Sequence, residues 1–428
     1  MEREVTRTRK MKIHKAYKVE IKPNNKQRTL LEKSVGTARF AYNWGLNQRI
    51  ELYEKEKKSL SAIDQHKILC SIKKKEYPWM YEVSKMAPQE ALRDLEKAYK
   101  NFFRGIKKGQ KIGYPKFKSK HKCKQKFSIS SGFYVSQTEV KIPKIGRVKL
   151  KEQNYVPTKD VKIVAMTVSK EVDRWFVSVN VEQDIKEPNN TIETVLDVDV
   201  GIKELVTCSN GQIFENPKHL RKSKKKLAHA QKNLASKKFD KDTKKSSANR
   251  NKAKLKVQKI HRRIRNQRLD TIHKMTSTLV KTKPRYIVLE DLNVSGMMKN
   301  HKLAGAVADA SFYEIKRQIQ YKTAWYGGSI IEVDRYFPSS KLCSACGTIK
   351  EDLTLKDRIY TCDCGLILDR DLNASINLEH CGLDKLKHTV SSTGIKACGE
   401  SVRPDQNLDF DEAISLKQEE NMSLAKIL

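Results

Sequence analysis

The stretch Val195-Leu196-Asp197-Val198-Asp199-Val200-Gly201 decides how the second half of this chain is read. Its apolar residues predict a strand, the two aspartates alternate onto one face of it, and the glycine ends it. A second strand, Glu204 to Cys208, follows, and Ser209-Asn210-Gly211 turns the chain. Further on come the strand Tyr286 to Leu289, a helix near Ser311 to Tyr326, the strand Ser329 to Val333 and a helix after Asp371. Strands and helices in this order predict an α/β domain, opening after a linker at residues 183–193 that holds Pro188-Asn189-Asn190.

An unusual segment interrupts that domain. Lys218 to Arg268 carries 21 lysines and arginines against only Asp240 and Asp242. Leu220, Leu227, Leu234, Leu255, Ile260 and Ile264 are threaded through it, which predicts two antiparallel basic helices joined near residues 240–249. Charge runs are usually solvated helical faces. Here the excess is too one-sided, because unpaired like charge repels itself unless phosphates or other anions neutralise it. Lys224, Lys225, Arg250, Lys254, Arg262 and Arg263 are the candidate nucleic-acid contacts in this segment.

The whole chain agrees. Its 428 residues include 87 Lys and Arg against 50 Asp and Glu, a net charge of +37. Soluble domains usually stay in single digits, so a long anionic partner is expected, and nucleic acid is the natural one. Mean hydropathy is −0.67, and no apolar run of about 18 residues is present to span a bilayer. Met1 to Lys12 is charged with no apolar core after it, so no secretory signal is read. An ATP-driven enzyme is disfavoured by the lack of a glycine-rich phosphate loop.

The first half reads differently. Residues 12–21 form an opening strand, Leu31, Val35, Ala38 and Tyr42 mark one helix, and Leu92, Leu95, Tyr99 and Phe102 mark another that starts near Pro88. A polar helix is expected between them, from Ser61 to Lys75. From Phe127 to Val181 the texture changes to short β-like runs, and with the opening strand these predict a barrel. The fold class is therefore α+β and multidomain. Residues 1–22 and 120–185 form a β-barrel, 23–119 a helical insert, 193–334 and 367–382 the α/β domain, and 335–366 a cysteine-bearing ribbon. Residues 383–428 are expected to be a disordered tail, since Glu400 to Glu420 holds seven acidic residues and two basic ones.

Two side-chain sets carry chemistry. Cys343-Ser-Ala-Cys346 and Cys362-Asp-Cys364 place four of the nine cysteines within 22 positions. In a reducing compartment that pattern reads as one structural Zn²⁺ held by four thiolates, the alternative being free buried thiols. Gly347 and Gly365 allow the knuckle turns, and all four positions are ligands, so none is left for catalysis. Asp199, Glu290 and Asp371 stand where an RNase H-like nuclease places its carboxylates. Hydrolysis of a phosphodiester by two-metal chemistry needs such hard oxygen ligands, here for two Mg²⁺.

Taken together, Asp199-Val-Gly-Ile-Lys, Val288-Leu-Glu290-Asp-Leu-Asn, Asp309-Ala-Ser-Phe-Tyr, Pro338-Ser-Ser-Lys-Leu-Cys343-Ser-Ala-Cys346-Gly, Tyr360-Thr-Cys-Asp-Cys-Gly and Asp369-Arg-Asp371-Leu-Asn-Ala-Ser resemble the TnpB family. Its members are transposon-encoded, RNA-guided nucleases related to compact type V CRISPR effectors. The N-terminal half is similar too, in Ala38-Arg-Phe-Ala-Tyr-Asn-Trp and Gln89-Glu-Ala-Leu-Arg-Asp-Leu, so the likeness spans roughly residues 12–380.

The resemblance implies a RuvC-type, RNase H-like α/β domain split in sequence, with a zinc ribbon inserted before its last catalytic Asp. It implies a guide RNA from the transposon end, a double-stranded DNA target, a short flanking motif read by the protein, and action in the prokaryotic cytoplasm, at the nucleoid. By position, Asp199, Glu290 and Asp371 become the metal-binding triad, and Lys85 and Gln89 sit near the flanking-motif duplex. One departure stands out: Asp197 replaces the glycine common in the family, and a fourth carboxylate there either joins the metal site or perturbs it.

A guide-directed DNA-binding regulator without cleavage is the alternative, gaining only if Asp197 disables the metal site. A cut-and-paste transposase is disfavoured by the inserted ribbon, and a zinc-ribbon RNA-binding protein of translation leaves the three carboxylates unexplained.

Overall fold

The computed structural model describes residues 10–186, 194–239, 246–335, 337–354 and 357–392. They divide into two compact units, Lys12–Ile185 and the described residues from Lys186 onward.

The first unit contains β1 (Lys10–Lys22), α1 (Asn25–Glu56), α2 (Ala62–Glu76), α3 (Met86–Lys107), β2 (Gln125–Ile129), β3 (Tyr134–Val135), β4 (Glu139–Ile142), β5 (Gly146–Leu150), β6 (Lys162–Glu171) and β7 (Arg174–Lys186). Asn24 starts α1 through a reciprocal cap: its side chain accepts the Gln27 N–H, and the Gln27 side chain accepts the Asn24 N–H. Leu31, Val35, Ala38 and Tyr42 then form the buried stripe of α1, and Leu92 and Leu95 that of α3. Both stripes join the sheet residues Val168, Val177 and Val179 in one core.

The sheet order is β2-β6-β7-β1-β5-β4-β3. It is an open seven-stranded sheet, which corrects the expected barrel. The physical reason lies at its edges. β3 is only two residues long, and β2 packs against α1 and α3, so no ladder joins one edge to the other.

The second unit contains β8 (Val195–Asp199), β9 (Glu204–Cys208), β10 (Ile213–Glu215), α4 (His219–Ala235), α5 (Ala248–Lys281), β11 (Tyr286–Glu290), α6 (Val294–Met297), α7 (Ala304–Ala310), α8 (Phe312–Trp325), β12 (Ser329–Val333), β13 (Ile359–Thr361), β14 (Ile367–Asp369) and α9 (Arg370–Ser392). Its main sheet runs β10-β9-β8-β11-β12. β8, β9 and β10 pair antiparallel, while β8, β11 and β12 pair parallel.

On one face Leu196, Val198, Ile287 and Leu289 pack with Ile272, Met275 and Leu279 of α5 and with Ile315 and Ile319 of α8. On the other face Val288 and Val333 meet Leu378 of α9. A Cβ at Gly382 would lie 2.5 Å from Val288 Cγ2, so this glycine lets α9 lie close against β11. Burial of these branched side chains contributes about 1.5–3 kcal/mol each. α9 continues to Ser392, which corrects the expected start of a disordered tail at residue 383. Residues 393–428, most of the linker, and residues 240–245 of the expected helix junction lie outside the described residues.

α4 and α5 run antiparallel. His219 Nε2 at the start of α4 lies 3.0 Å from Thr271 Oγ1, while Arg250 near the start of α5 donates to the Leu234 carbonyl near the end of α4. Leu227, Ala253, Val257 and Ile264 are buried in the hairpin, and the C-terminal part of α5 is the segment that enters the sheet core. Asp309 fastens the base of the hairpin. Its carboxylate accepts the Leu220 and Arg221 N–H groups and pairs with Arg268 at 2.8 Å.

Candidate active site

Strand alternation places Asp197 and Asp199 on the face of the sheet that α9 covers. β11 runs parallel to β8 with Val288 beside Asp197, so Glu290, two residues on, comes level with Asp199. Asp371 reaches the site from the first turn of α9. That turn is fixed by Asp369, whose Oδ1 accepts the N–H groups of Asp371 at 2.9 Å and Leu372 at 3.3 Å, the arrangement of an N-terminal cap.

The charges of Glu290 and Asp371 are felt at Asp199. Burial first, then the charges of Glu290 and Asp371, push the Asp199 carboxyl up to about 7, although Arg370 opposes the rise. Burial and the adjacent Asp291 raise Glu290. Such crowding disfavours the charged forms unless a cation is present. The donor types, hard carboxylate oxygens at two strand ends and on a helix, are those that divalent ions take, although among the described residues the four cysteines are the only group close enough together to hold an ion as they stand.

Asp197 lies on the strand face that alternation predicts. It shares the Asp199 face but is fully buried, and neither of its oxygens has a hydrogen-bond partner. Burial, then Asp199, Glu379 and Glu290, hold its carboxyl well above the usual range. Its place under α9 disfavours the charged form. Glu379 was missed by sequence reasoning; it lies eight positions after Asp371 on α9, about two turns on.

The cysteine cluster is tighter. Among the described residues, Cys343, Cys346, Cys362 and Cys364 are the group whose ligand atoms all lie within 4.8 Å of one another. Cys343 Sγ is 3.6 Å from Cys364 Sγ, and Cys346 Sγ is 3.5 Å from Cys362 Sγ. Four bonds of about 2.3 Å to a tetrahedral zinc place sulfurs roughly 3.8 Å apart, so the cluster fits that ion. Both knuckles turn on left-handed glycines, Gly347 at φ 74° and Gly365 at φ 93°, which only glycine adopts freely. Within the crowded cluster the shifts divide: hydrogen bonding with Thr348 lowers the Cys346 thiol, while Cys362 and Cys364 are raised.

The expected nucleic-acid contacts separate into two groups. Lys224, Lys225, Lys254 and Arg263 are exposed on the hairpin, and Arg262 is half-buried. Arg250 is otherwise engaged: its guanidinium donates to the carbonyls of Leu234 and Lys237 and stacks over Phe239 at 5.2 Å. It closes the end of α4 and so has a structural role beside the expected nucleic-acid contact. In the first unit Lys85 is exposed at the head of α3 and Gln89 is half-buried one turn on. Lys73, Arg93 and Lys85 all act on His66, whose pKa burial and these charges lower. Lys73 and Arg93 thus join Lys85 in a cationic group that sequence spacing did not reveal.

Three family models match. One described as "Probable transposase" covers residues 176–301, the Cas12f1-like TNB domain covers 312–378, and a helix-turn-helix domain covers 11–58. Proteins of Streptomyces pristinaespiralis (34% identical, spanning 97% of this chain and 98% of that one) and Escherichia coli (30%, spanning 93% and 97%) carry the name "Putative RNA-guided DNA endonuclease". The chain belongs to the TnpB family. Its fold is that of a Cas12f1 structure solved as a complex with guide RNA and target DNA, at a TM-score of 0.54 over 86% of this chain and 99% of that one, with 14% identity. Within this TnpB-family chain the segment matched as helix-turn-helix is one strand and one 32-residue helix.

Proposed function

We propose that this chain is the RNA-guided DNA endonuclease of a transposon, cutting target DNA beside a short flanking motif in a RuvC-type, RNase H-like site. What supports the reading is the position of Asp199 and Glu290 at the ends of neighbouring strands and of Asp371 in the first turn of α9, the helix that covers their face, with burial first and then the charges of Glu290 and Asp371 raising Asp199 to about 7. The names of the curated relatives agree with it.

Asp199, Glu290 and Asp371 would hold two Mg²⁺. Bound there, the ions supply activation of the attacking water and stabilisation of the leaving oxygen. Asp369 orients Asp371 through the helix cap, and Arg370 lowers the local negative potential, with Nη2 3.8 Å from Asp371 Oδ1. The four cysteines would hold one structural Zn²⁺. Lys224, Lys225, Lys254, Arg262 and Arg263 contact the phosphates of a guide RNA or its duplex with DNA, and Lys85 and Gln89 lie near the flanking duplex. Base pairing then carries the sequence information, so the protein needs charge and shape more than a base-reading code.

The test is cleavage of plasmids carrying a matched target beside randomised flanks, by protein purified with its co-expressed guide RNA in Mg²⁺. Guide-dependent cuts that disappear in Asp371→Ala support the proposal, and cuts made without RNA overturn it. Tight guided binding without cuts by the unmutated protein favours the regulator reading instead. For the hairpin, Lys254→Ala and Arg263→Ala each lower the salt slope of RNA binding by about one. Arg250→Ala lowers hairpin stability and leaves that slope nearly unchanged.

A further inference from the structure

Two asparagines on α9, Asn373 and Asn377, are fully or almost fully buried, with 0% and 2% of their surface exposed. Neither faces another side chain for its amide bonds. Asn373 Nδ2 donates to the Leu342 carbonyl at 2.7 Å, and its Oδ1 accepts the Ser344 N–H at 3.1 Å. These are the peptide groups on either side of Cys343, so a single amide clamps the backbone of a zinc-ligand position from both sides. Asn377 Nδ2 donates to Ser339 O at 2.8 Å and to Leu342 O at 2.7 Å.

The clamp stands two residues after Asp371. On the other side of Asp371, the Arg370 N–H donates to the Arg358 carbonyl at 2.8 Å, and Arg370 Nη1 donates to the Thr354 carbonyl at 3.0 Å. The helical turn that presents Asp371 is therefore held from both ends by backbone of the cysteine ribbon. A buried amide whose donor and acceptor are both used has one orientation, so a displacement of the Cys343 peptide is passed to that turn.

We propose that Asn373 is a positioning residue that ties the cysteine cluster to the carboxylate centre, so that zinc held by the cluster sets the divalent-cation affinity of Asp199, Glu290 and Asp371. The inference rests on the nuclease reading above. Asn373→Asp keeps the acceptor and loses the donor, setting a carboxylate against the Leu342 carbonyl. Asn373→Ser loses both bonds with little added charge. Loss of a partner that orients a ligand typically weakens metal binding about 10- to 100-fold.

The test uses the full chain loaded with guide RNA. Mn²⁺ binding is followed by electron paramagnetic resonance, with Asp371→Asn as the baseline, and zinc content is measured in every sample. Both Asn373 variants are expected to weaken Mn²⁺ binding by about 10- to 100-fold. They raise the Mg²⁺ needed for half-maximal cleavage in step, with kcat largely recovered at saturating Mg²⁺. Asn377→Ser, which leaves Asn373 on the Cys343 peptide, shifts both much less. Displacing zinc from the unmutated protein with a thiol reagent reproduces the Asn373 effect, and this arm decides the matter if the variants do not fold. Wild-type Mn²⁺ affinity in zinc-free protein, or in a folded Asn373 variant, overturns the coupling. Undiminished cleavage by Asp371→Asn overturns the nuclease reading instead, so the two failures are distinct.

Discussion

The cysteine cluster and the carboxylate centre are both sets of ionisable ligands in one unit, yet they are built in opposite ways. The cysteines fall within 22 positions, and two knuckle turns made by their own backbone bring the sulfurs together. The carboxylates are spread over 173 positions, from Asp199 to Asp371, and are brought to one face only because β8, β11 and α9 have been packed first. The first site is shaped by local turns, and its crowded sulfurs raise the Cys362 and Cys364 thiols. The second is held by the fold, where burial first and then the neighbouring carboxylates raise Asp199 to about 7. A cation at the first fixes a small ribbon; a cation at the second relieves a conflict that the core has imposed.

The largest effect that can break this contrast is loss of the cluster. Structural zinc sites contribute apparent binding energies of about 10–16 kcal/mol in isolated zinc fingers, and here little apolar burial replaces them, since Ile349, Ile359 and Ile367 are exposed. Cys343→Ser is expected to release zinc and to remove amide-exchange protection from β13, β14 and the Leu342–Ile349 bridge, while β8, β11 and β12 keep theirs. Hydrogen exchange by mass spectrometry checks it. Full protection of the ribbon in the zinc-free variant would show that the knuckles stand without their ion.

A second, intermediate effect sharpens the carboxylate side. The Asp199 carboxyl has a folded value of about 7 against roughly 3.9 in an unfolded chain. A raised carboxyl contributes stability that is fully present below the unfolded value and is lost as pH rises through the folded one. Metal-free protein is thus predicted to become less stable between about pH 4 and 7, with Asp197 acting in the same direction. Divalent ions must displace a proton over that range, so half-saturating Mg²⁺ falls by up to about tenfold per pH unit up to neutrality and then levels off. Titrations of cleavage at pH 6, 7 and 8 measure this. A flat Mg²⁺ requirement would mean that the carboxylates do not repel one another in the working enzyme.

How much of this could be read beforehand follows from the same contrast. The cluster was legible from spacing alone, because its geometry is local. The elements that carry Asp199, Glu290 and Asp371 were legible because each carboxylate ends or opens one, and apolar strands fix which face it takes. The open sheet of the first unit was not legible: alternation marks strands but not whether the edges meet, and closure failed at the two-residue β3. Within the β-like span, β6 gives a faint signal because Lys162, Ser169 and Lys170 dilute its apolar alternation, although Met166 and Val168 are buried. Arg250 looked like its basic neighbours, and only the helix end it caps distinguishes it. The clamp by Asn373 had no signal at all in spacing, since its partners are backbone groups 29 and 31 positions away.

Asp197 offers the smallest effect and the finest division between the two kinds of site. It lies two residues from Asp199 on the same strand face, so a simple reading makes it a fourth ligand. Its burial argues otherwise, because a carboxyl with no partner and no solvent stays protonated and is a poor ligand for Mg²⁺. Asp197→Asn replaces one neutral, unpartnered polar group by another of the same shape. The stability change is therefore expected to be less than the roughly 1–3 kcal/mol that an unsatisfied buried polar group costs. Guided cleavage and its Mg²⁺ requirement are expected to stay at the wild-type level, whereas Asp199→Asn loses activity. Chemical denaturation and the same Mg²⁺ titration decide it. A large rise in required Mg²⁺ would place Asp197 among the ligands and move the boundary of the carboxylate centre one layer deeper under α9.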